Sequence, residues 1–241
     1  MNNNPALSET HHAILFALMA KYIFQFAVEN KGRATVRKVV KRYGEQRGLR
    51  MAMRAKADNR DLTFIDYLIY GEWVSSDPSA MISEIKEHDQ DLQTSISRCP
   101  WYSAWVANDL LEFGRLYCQE IDNALVKGFN PQLNIEVSQT MTNQGESCKF
   151  IYCDALMGEQ NALSTVNEQR IKSKGKNTMP WEYHCGHLLK TFTDIACEEL
   201  GEDGQRAIKA ALDDFSERFG VELTSEISKY RFTDFNNLPS Q

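Results

Sequence analysis

Cysteine and histidine are the residues of this chain that could act as nucleophiles, bases or metal ligands, and Cys148 has the most informative position. It follows the turn residues 143–145 and begins a run in which Cys148, Phe150 and Tyr152 alternate with other residues. Because successive side chains of a strand point to opposite faces, these three share one face. A thiol just after a turn lies near the rim of a sheet, where a ligand can reach it. The alternative is a small buried core residue, the usual fate of a free cysteine.

The histidines are concentrated at the starts of two predicted helices. Four of the five are His11, His12, His184 and His187. His184 and His187 are three residues apart, which places both on one side of a helix, where they could share a substrate or a metal ion. The alternative is that these residues are polar ends of an apolar helix face.

A cysteine, a histidine and a carboxylate are together sufficient for nucleophilic catalysis on an electrophilic carbon. Cys148 is the best-placed thiol for this role, and spacing alone leaves open which histidine and which carboxylate would join it. Cys99 is a second thiol of interest because it directly precedes a predicted helix, whose positive dipole end favours a thiolate. The six cysteines include no CxxC pair, so a structural zinc site is not expected.

Composition limits the classes of partner. The net charge of −6 argues against a general nucleic-acid binder, although residues 31–56 hold ten Lys or Arg and one acid, Glu45. We interpret that segment as a solvated helix face or the partner of an acidic helix. The sequence has no apolar run of the roughly 18–20 residues that a membrane span needs, and its start lacks a secretory pattern. Cysteines spread along the chain indicate reduced thiols and a cytoplasmic protein.

The pattern of apolar residues predicts an α+β fold: a small antiparallel β-sheet flanked by several long α-helices. Strands are expected near 91–98, 132–142 and 148–154, the last two forming a hairpin. The predicted helices and loop are a helix from Ser8, a second over 32–55 with an interruption at Gly44 or Gly48, short helices at 62–70 and into the 80s, a helix over 101–126, a loop over 157–180, and helices from 181 and over 204–229.

The last helical pair aligns with the first at a constant offset of 172 residues. His12 then matches His184, Gly32 matches Gly204, and the basic residues 31–56 match an acidic segment. We expect a single domain over 1–241, with 8–56 and 180–228 as repeated helical pairs and 90–154 as a central strand–helix–hairpin. Helix starts related in this way could bring the histidines to one site.

Several short segments, in this order, resemble the L-2-amino-thiazoline-4-carboxylic acid hydrolase family. They are ETHHAILFALMAKY, YGEQRG, RCPW, YCQEID, GFNP, GESCKF and YHCGHL. The resemblance implies hydrolysis of a carbon–nitrogen bond in a small cyclic amidine, which opens a 2-amino-thiazoline ring to a carbamoyl-cysteine. The partner it implies is a small-molecule substrate.

On that resemblance, the catalytic residues would be Cys148, His184 and Asp122. Cys148 would add to the ring carbon while His184 transfers protons. Asp122 would orient the histidine or hold the amino group, and Arg47 would receive the substrate carboxylate. Asn130 and the N–H groups of the Gly145 turn would hold the developing charge. The remaining substrate-binding candidates are His12, His187 and Cys99.

Two alternatives to the thiol mechanism, and the question of assembly, stay open at this point. No cofactor is required by the thiol chemistry, but a divalent metal held by His and Cys could instead activate water. A hairpin of the GESCKF type with flanking helices also resembles the vinyl-reductase-type ligand-binding domain, which would make the chain a sensor without catalysis. The long apolar stripe of the first helix could also support a homodimer.

Overall fold

The computed structural model describes residues 6–156, 162–172 and 176–239 and confirms the α+β class. Within these ranges the chain has ten α-helices and one four-stranded antiparallel sheet. It divides into two compact units, each made of three separate segments. Unit 1 consists of Met1–Tyr43, Pro100–Glu120 and Pro180–Thr233, and unit 2 of Gly44–Cys99, Ile121–Met179 and Asp234–Gln241. The single domain over 1–241 stays a prediction.

Unit 1 is helical and is built around its first helix. α1 (Glu9–Phe26) is apolar on most of its circumference, so it can be stable only when surrounded by other helices. Its neighbours in unit 1 are α4 (Pro100–Ala107), α5 (Leu111–Cys118), α8 (Trp181–Leu200) and α9 (Glu202–Phe219). α10 (Val221–Ser228) packs on α8 and α9.

Unit 2 contains the sheet. Its strands are β1 (Ile82–His88), β2 (Asp91–Arg98), β3 (Ile135–Gln139) and β4 (Cys148–Tyr152), in the spatial order β1-β2-β4-β3. The helices of this unit are α3 (Phe64–Ile69), α6 (Ile121–Phe129), α7 (Ala162–Lys172) and the last half of α2 (Glu29–Ala57). Phe64, Leu92, Val126 and Phe129 lie in one buried core that joins these helices to the sheet.

The predicted hairpin is confirmed as the antiparallel pair β3–β4, with Val137 opposite Phe150. Both strands are shorter than 132–142 and 148–154. Residues Met141–Asn143 form a 3-10 turn, and Gln144, not Gly145, takes the left-handed conformation, with φ of 63°. Gly145 is required for space instead, because a Cβ there would lie 2.8 Å from the carbonyl oxygen of Thr140.

α2 runs without a break through Gly44 and Gly48, so the predicted interruption is wrong. Both glycines are sites of close approach to α6. A Cβ on Gly48 would lie 2.2 Å from the carbonyl oxygen of Leu125, and one on Gly44 would lie 2.7 Å from the Cβ of Ala124. Packing therefore explains glycines that the sequence pattern presented as helix breakers.

The prediction of one continuous helix over 101–126 is wrong, because the segment forms three helices, α4, α5 and α6. Asp109 lies between α4 and α5 with φ of 56°, which a helix cannot contain. The helix predicted over 204–229 ends at Phe219, because Gly220 has φ of 94°, and continues as α10.

Two further elements differ from the prediction. The short helix expected into the 80s is the strand β1, a mostly exposed edge strand paired only with β2 in the sheet that the structure describes. The loop expected over 157–180 contains the helix α7. Residues 157–161 and 173–175 of that predicted loop lie outside the described residues.

The helix starts agree with the predicted repeat. The offset of 172 residues maps Glu9, the first residue of α1, onto Trp181, the first residue of α8. It maps the start of α2 to within one residue of the start of α9. The basic segment also meets an acidic one in unit 1, where Lys38 pairs with Glu198 and Glu199. The repeat itself stays a prediction.

No helix in the described part of the chain is long and apolar enough to cross a bilayer.

Candidate functional site

Three of the predicted site histidines meet in unit 1. α1 supplies His12 and α8 supplies His184 and His187, and all three side chains are buried. The Tyr43 ring is near both His12 and His187, with centroid distances of 5.6 and 4.5 Å. The Trp181 ring lies between His12 and His184, at 6.0 and 5.4 Å. We call these five residues and Trp101 the histidine–aromatic cluster.

The tautomer of His12 follows from its two hydrogen bonds. The indole N–H of Trp101 can only donate, and it points to His12 Nδ1 at 3.1 Å. Nδ1 is therefore the acceptor, and the ring proton is on Nε2. Nε2 lies 2.9 Å from the hydroxyl oxygen of Tyr43, to which it donates. His12 is thus a neutral imidazole with a fixed orientation, and the Tyr43 hydroxyl oxygen accepts its Nε2 proton.

A second group of predicted residues meets in unit 2, around the carboxyl of Asp122 at the start of α6. Burial raises the pKa of Asp122 to about 6, although the Arg47 guanidinium and a backbone hydrogen bond act in the opposite direction. The negative charge of Asp122 in turn contributes to raising the pKa of Tyr67, Tyr152 and Cys148. We call these five residues the Asp122 cluster. The charge of Asp122 thus acts on a thiol and two phenols, and the guanidinium of Arg47 acts on Asp122.

Cys148 begins β4 and is 8% exposed. Burial raises the pKa of its thiol and the Asp122 charge raises it further, while the Met141 N–H, which donates to Sγ at 3.4 Å, lowers it. Because the net direction is upward, Cys148 is a neutral thiol at pH 7 in the substrate-free protein. It can therefore act as a nucleophile only with a base to remove its proton.

Arg47 is held in place by an ion-pair cluster on α2. Arg47, Arg50 and Arg54 recur at intervals of three and four residues, so they lie on one helix face. All three face Glu72, whose side chain is fully buried. Arg50 binds both oxygens of Glu72 at 2.9 and 2.8 Å, and Arg54 binds one at 2.8 Å.

Other predicted groups take part in local structure. Asn130 Nδ2 donates to the Leu62 carbonyl oxygen at 3.0 Å, and its Oδ1 accepts the Gln132 N–H at 3.0 Å. The Gly145 N–H donates to the Thr140 carbonyl oxygen. Both ends of Asn130 and the Gly145 N–H therefore hold loops. Their roles toward a substrate stay predictions.

Asp122 and Cys148 both belong to unit 2, whereas His184 belongs to unit 1. The assembly of these three into one site stays a prediction. Cys99 directly precedes α4, as predicted, and is half-buried. Within neither unit do the described residues provide three or more His, Cys, Asp or Glu side chains arranged to hold a metal ion.

Several residues of these clusters were not anticipated. Glu72, Tyr67, Tyr43 and Trp101 become visible only through their contacts. One signal in the sequence could have indicated Glu72: three arginines on one face of a helix require an acidic partner if that face is buried.

The model of the family described as L-2-amino-thiazoline-4-carboxylic acid hydrolase matches residues 8–152. The match covers more than half of the chain, so the chain belongs to this family, as the motifs predicted. His12, Arg47, Asp122 and Cys148 lie inside the matched segment, whereas the α8 histidines lie beyond it. No curated protein and no solved structure matches the chain.

Proposed function

We propose that the protein is a hydrolase that opens a small cyclic amidine bearing a carboxylate, of the 2-amino-thiazoline-4-carboxylate type. Family membership supports the substrate class. The observation that carries the chemistry is the electrostatic influence of Asp122 on Cys148 in unit 2, where the carboxylate charge contributes to raising the pKa of the thiol.

The charges of the Asp122 cluster suit such a substrate. Arg47 supplies a guanidinium that can bind a carboxylate through two parallel hydrogen bonds. Asp122 titrates near pH 6, so above this pH it is an anion that can pair with the amino group of an amidine. Burial strengthens both interactions because little water competes for them.

The proposed first step is the addition of the Cys148 sulfur to the ring carbon that is bonded to two nitrogens and sulfur. As the S–C bond forms, the thiol proton passes to the carboxylate of Asp122. Asp122 then returns this proton to the ring atom that leaves, and the ring opens. Water adds to the resulting adduct and releases both the carbamoyl product and the Cys148 thiol.

An acid with a pKa near the working pH is well suited to accept and return a proton in this way. His184 is proposed as an additional proton carrier, as the sequence motifs implied. In the alternative route Asp122 removes the proton from water and Cys148 forms no covalent bond.

The test is incubation of the purified protein with L-2-amino-thiazoline-4-carboxylate, followed by mass spectrometry for a product heavier by one water. We expect ring opening by the unmodified chain and its loss in Asp122→Asn and Cys148→Ala. Full activity in Cys148→Ala with loss in Asp122→Asn would select the water route. An absence of ring opening at any pH from 6 to 9 would contradict the proposed function.

A thiol reagent identifies the bond that breaks. If the bond between the ring carbon and the ring nitrogen breaks, the product is S-carbamoylated and has no free thiol. This is the carbon–nitrogen cleavage expected from the sequence. If the bond between the ring carbon and the ring sulfur breaks instead, the product is N-carbamoylated and has one free thiol for each ring opened.

A further inference from the structure

A groove with a volume of about 560 Å³ lies in unit 1 between α8, α9 and α10. We call it the α8–α10 groove. Its volume is within the range of cavities that hold small-molecule ligands, roughly 300–1,000 Å³. As far as the structure describes the chain, its lining includes no member of the histidine–aromatic cluster or of the Asp122 cluster. The groove is therefore separate from both groups of residues considered for the hydrolase reaction.

Aliphatic side chains from all three helices line the groove. They are Leu189 of α8, Ile208 and Leu212 of α9, and Ile227 of α10. Leu189, Ile208 and Ile227 are buried, so the groove reaches down to the packed interior of unit 1. A ligand that lays hydrocarbon against these side chains removes apolar surface of both molecules from water, which favours binding.

Three hydroxyl groups of the lining are bonded within their own helices. Thr193 Oγ1 donates to the Leu189 carbonyl oxygen at 2.8 Å. Ser228 Oγ donates to the Thr224 carbonyl oxygen at 2.7 Å, and the Thr224 hydroxyl is bonded in the same way to Gly220. Because each hydroxyl gives its one proton to a carbonyl of the preceding turn, none of the three offers a donor to a ligand. The strong donors must come from charged side chains.

Five charged residues of the described chain line the groove, and four of them are paired with each other. Lys190 pairs with Asp194 on α8 at 2.5 Å, and Lys209 pairs with Asp213 on α9 at 2.6 Å. The fifth is Arg231, which follows α10. With three positive and two negative side chains, the lining carries one positive charge in excess.

Arg231 is the cation of the lining that no described carboxylate neutralises. Its Cζ lies over the ring of Phe232, 4.7 Å from the centroid, and that ring is 84% exposed. A guanidinium on a ring face can still use its in-plane N–H groups, which bind a carboxylate through two parallel hydrogen bonds. The groove thus combines aliphatic walls with one available fork of donors.

We propose that the α8–α10 groove binds a small aliphatic carboxylate, with its hydrocarbon chain on the aliphatic walls and its carboxylate on Arg231. The excess positive charge favours an anion over a neutral or cationic amphiphile of the same length. A nucleic acid or an acidic protein would need several available cations, and this lining has one, so a monoanion of limited size fits best. The inference does not rest on the proposed function.

The probe is octanoate, added below its micelle concentration to the full chain and compared with octanol, which has the same chain length and no charge. Isothermal titration calorimetry should show saturable binding of one octanoate and weaker binding of octanol. Arg231→Gln should lower the octanoate affinity by about fivefold or more and leave the octanol affinity unchanged. Lys229→Gln is the matched control, because Lys229 is a nearby exposed cation that pairs with Glu226 and lies outside the lining.

A second readout locates the ligand. Cys197 lines the groove and is half-buried, so bound octanoate should slow its alkylation by iodoacetamide. Cys153, a half-buried thiol of unit 2, is the internal reference and should react at the same rate with and without octanoate. Arg231→Gln should reduce the protection of Cys197 at a given octanoate concentration, and Lys229→Gln should keep it.

Octanoate binding that is equal in Arg231→Gln and the unmodified chain would overturn the proposal, as would Cys197 alkylation that octanoate does not slow. Octanol binding as tight as octanoate binding would show a groove that does not select an anion and would overturn the assignment of a carboxylate. An absence of octanoate binding up to millimolar concentration would also contradict it. These results are independent of whether the protein opens a thiazoline ring.

Discussion

The indole N–H of Trp101 donates to Nδ1 of His12 across 3.1 Å in the interior of unit 1. This contact joins the start of α4 to α1 and decides which nitrogen of the histidine carries a proton. A histidine fixed as a neutral donor toward Tyr43 is a different chemical group from one that titrates freely near pH 6.5. The tautomer of His12 is therefore a property of tertiary structure.

Replacing Trp101 with Phe should destabilise the protein by about 1–3 kcal/mol, because Nδ1 of the buried His12 loses its donor. Nitrogen NMR of labelled histidine should also show a change in the tautomer of His12. Trp105→Phe is the matched control, since the Trp105 indole donates to the Ala13 carbonyl oxygen. It should lose comparable stability and leave the His12 signals unchanged. A His12 tautomer that is the same in Trp101→Phe would contradict the assignment.

Replacing Gly48 with Ala should cost several kcal/mol, because the new Cβ would overlap backbone atoms of α6, including the Leu125 carbonyl oxygen at 2.2 Å. Gly32→Ala in the same helix is the control. Its Cβ would meet no atom closer than 3.5 Å, and alanine favours a helix by roughly 1 kcal/mol over glycine. Urea denaturation of the two variants should give changes of opposite sign, and equal stability would contradict close packing at Gly48.

The pKa of about 6 at Asp122 predicts how stability depends on pH. The unfolded chain ionises this carboxyl near pH 4, so between about pH 4 and 6 the folded state binds more protons than the unfolded state. Folding stability should therefore fall as pH rises through this window, by about 2 kcal/mol from this group.

The substitution Asp122→Asn should remove this loss of folding stability at rising pH. We expect the variant to be more stable than the unmodified protein at pH 7.5 and similar to it at pH 4, in urea denaturation at both values. Asp61→Asn, at an exposed residue, is the control and should change neither value appreciably. A variant less stable than the original at pH 7.5 would show that Asp122 is stabilised as an anion.

Alkylation should show that Cys148 is slow to react in the absence of substrate. It is buried and its thiol pKa is raised, whereas Cys153 and Cys197 are only half-buried. Limiting iodoacetamide followed by peptide mapping should label Cys153 and Cys197 before Cys148, and the buried Cys185 should behave like Cys148. Preferential labelling of Cys148 in the free protein would contradict this order and would indicate a thiolate.

The sequence predicted the elements that have a strong local pattern. The alternation Cys148–Phe150–Tyr152 correctly indicated a strand of the hairpin, and the apolar stripe after Ser8 correctly indicated α1. β1 was missed because Ile82 and Ile85 are three residues apart, which fits no alternation of two, and because an exposed edge strand has little apolar signal. The breaks after α4 and α9 depend on backbone angles at Asp109 and Gly220.

The sequence predicted which residue types the candidate site contains and, in part, which of these residues lie near one another. Histidines at two helix starts could be expected to approach each other, because the apolar faces of α1 and α8 favour packing of these helices, and His12, His184 and His187 do share aromatic neighbours. The environment of Cys148 was not predictable. How far burial and the charge of Asp122 raise the pKa of its thiol depends on segments that are distant in the chain.

The hydrogen bond from Arg50 to the Phe235 carbonyl oxygen joins two residues of unit 2 that are 185 positions apart. Each unit draws on an early, a middle and a late segment of the chain, and the late ones begin at Pro180 and Asp234. During translation, neither unit can complete its core until those segments have been synthesised. The protein therefore differs from tandem domains, which fold in turn from the N-terminus. We expect nascent chains that end before residue 180 to depend on chaperones.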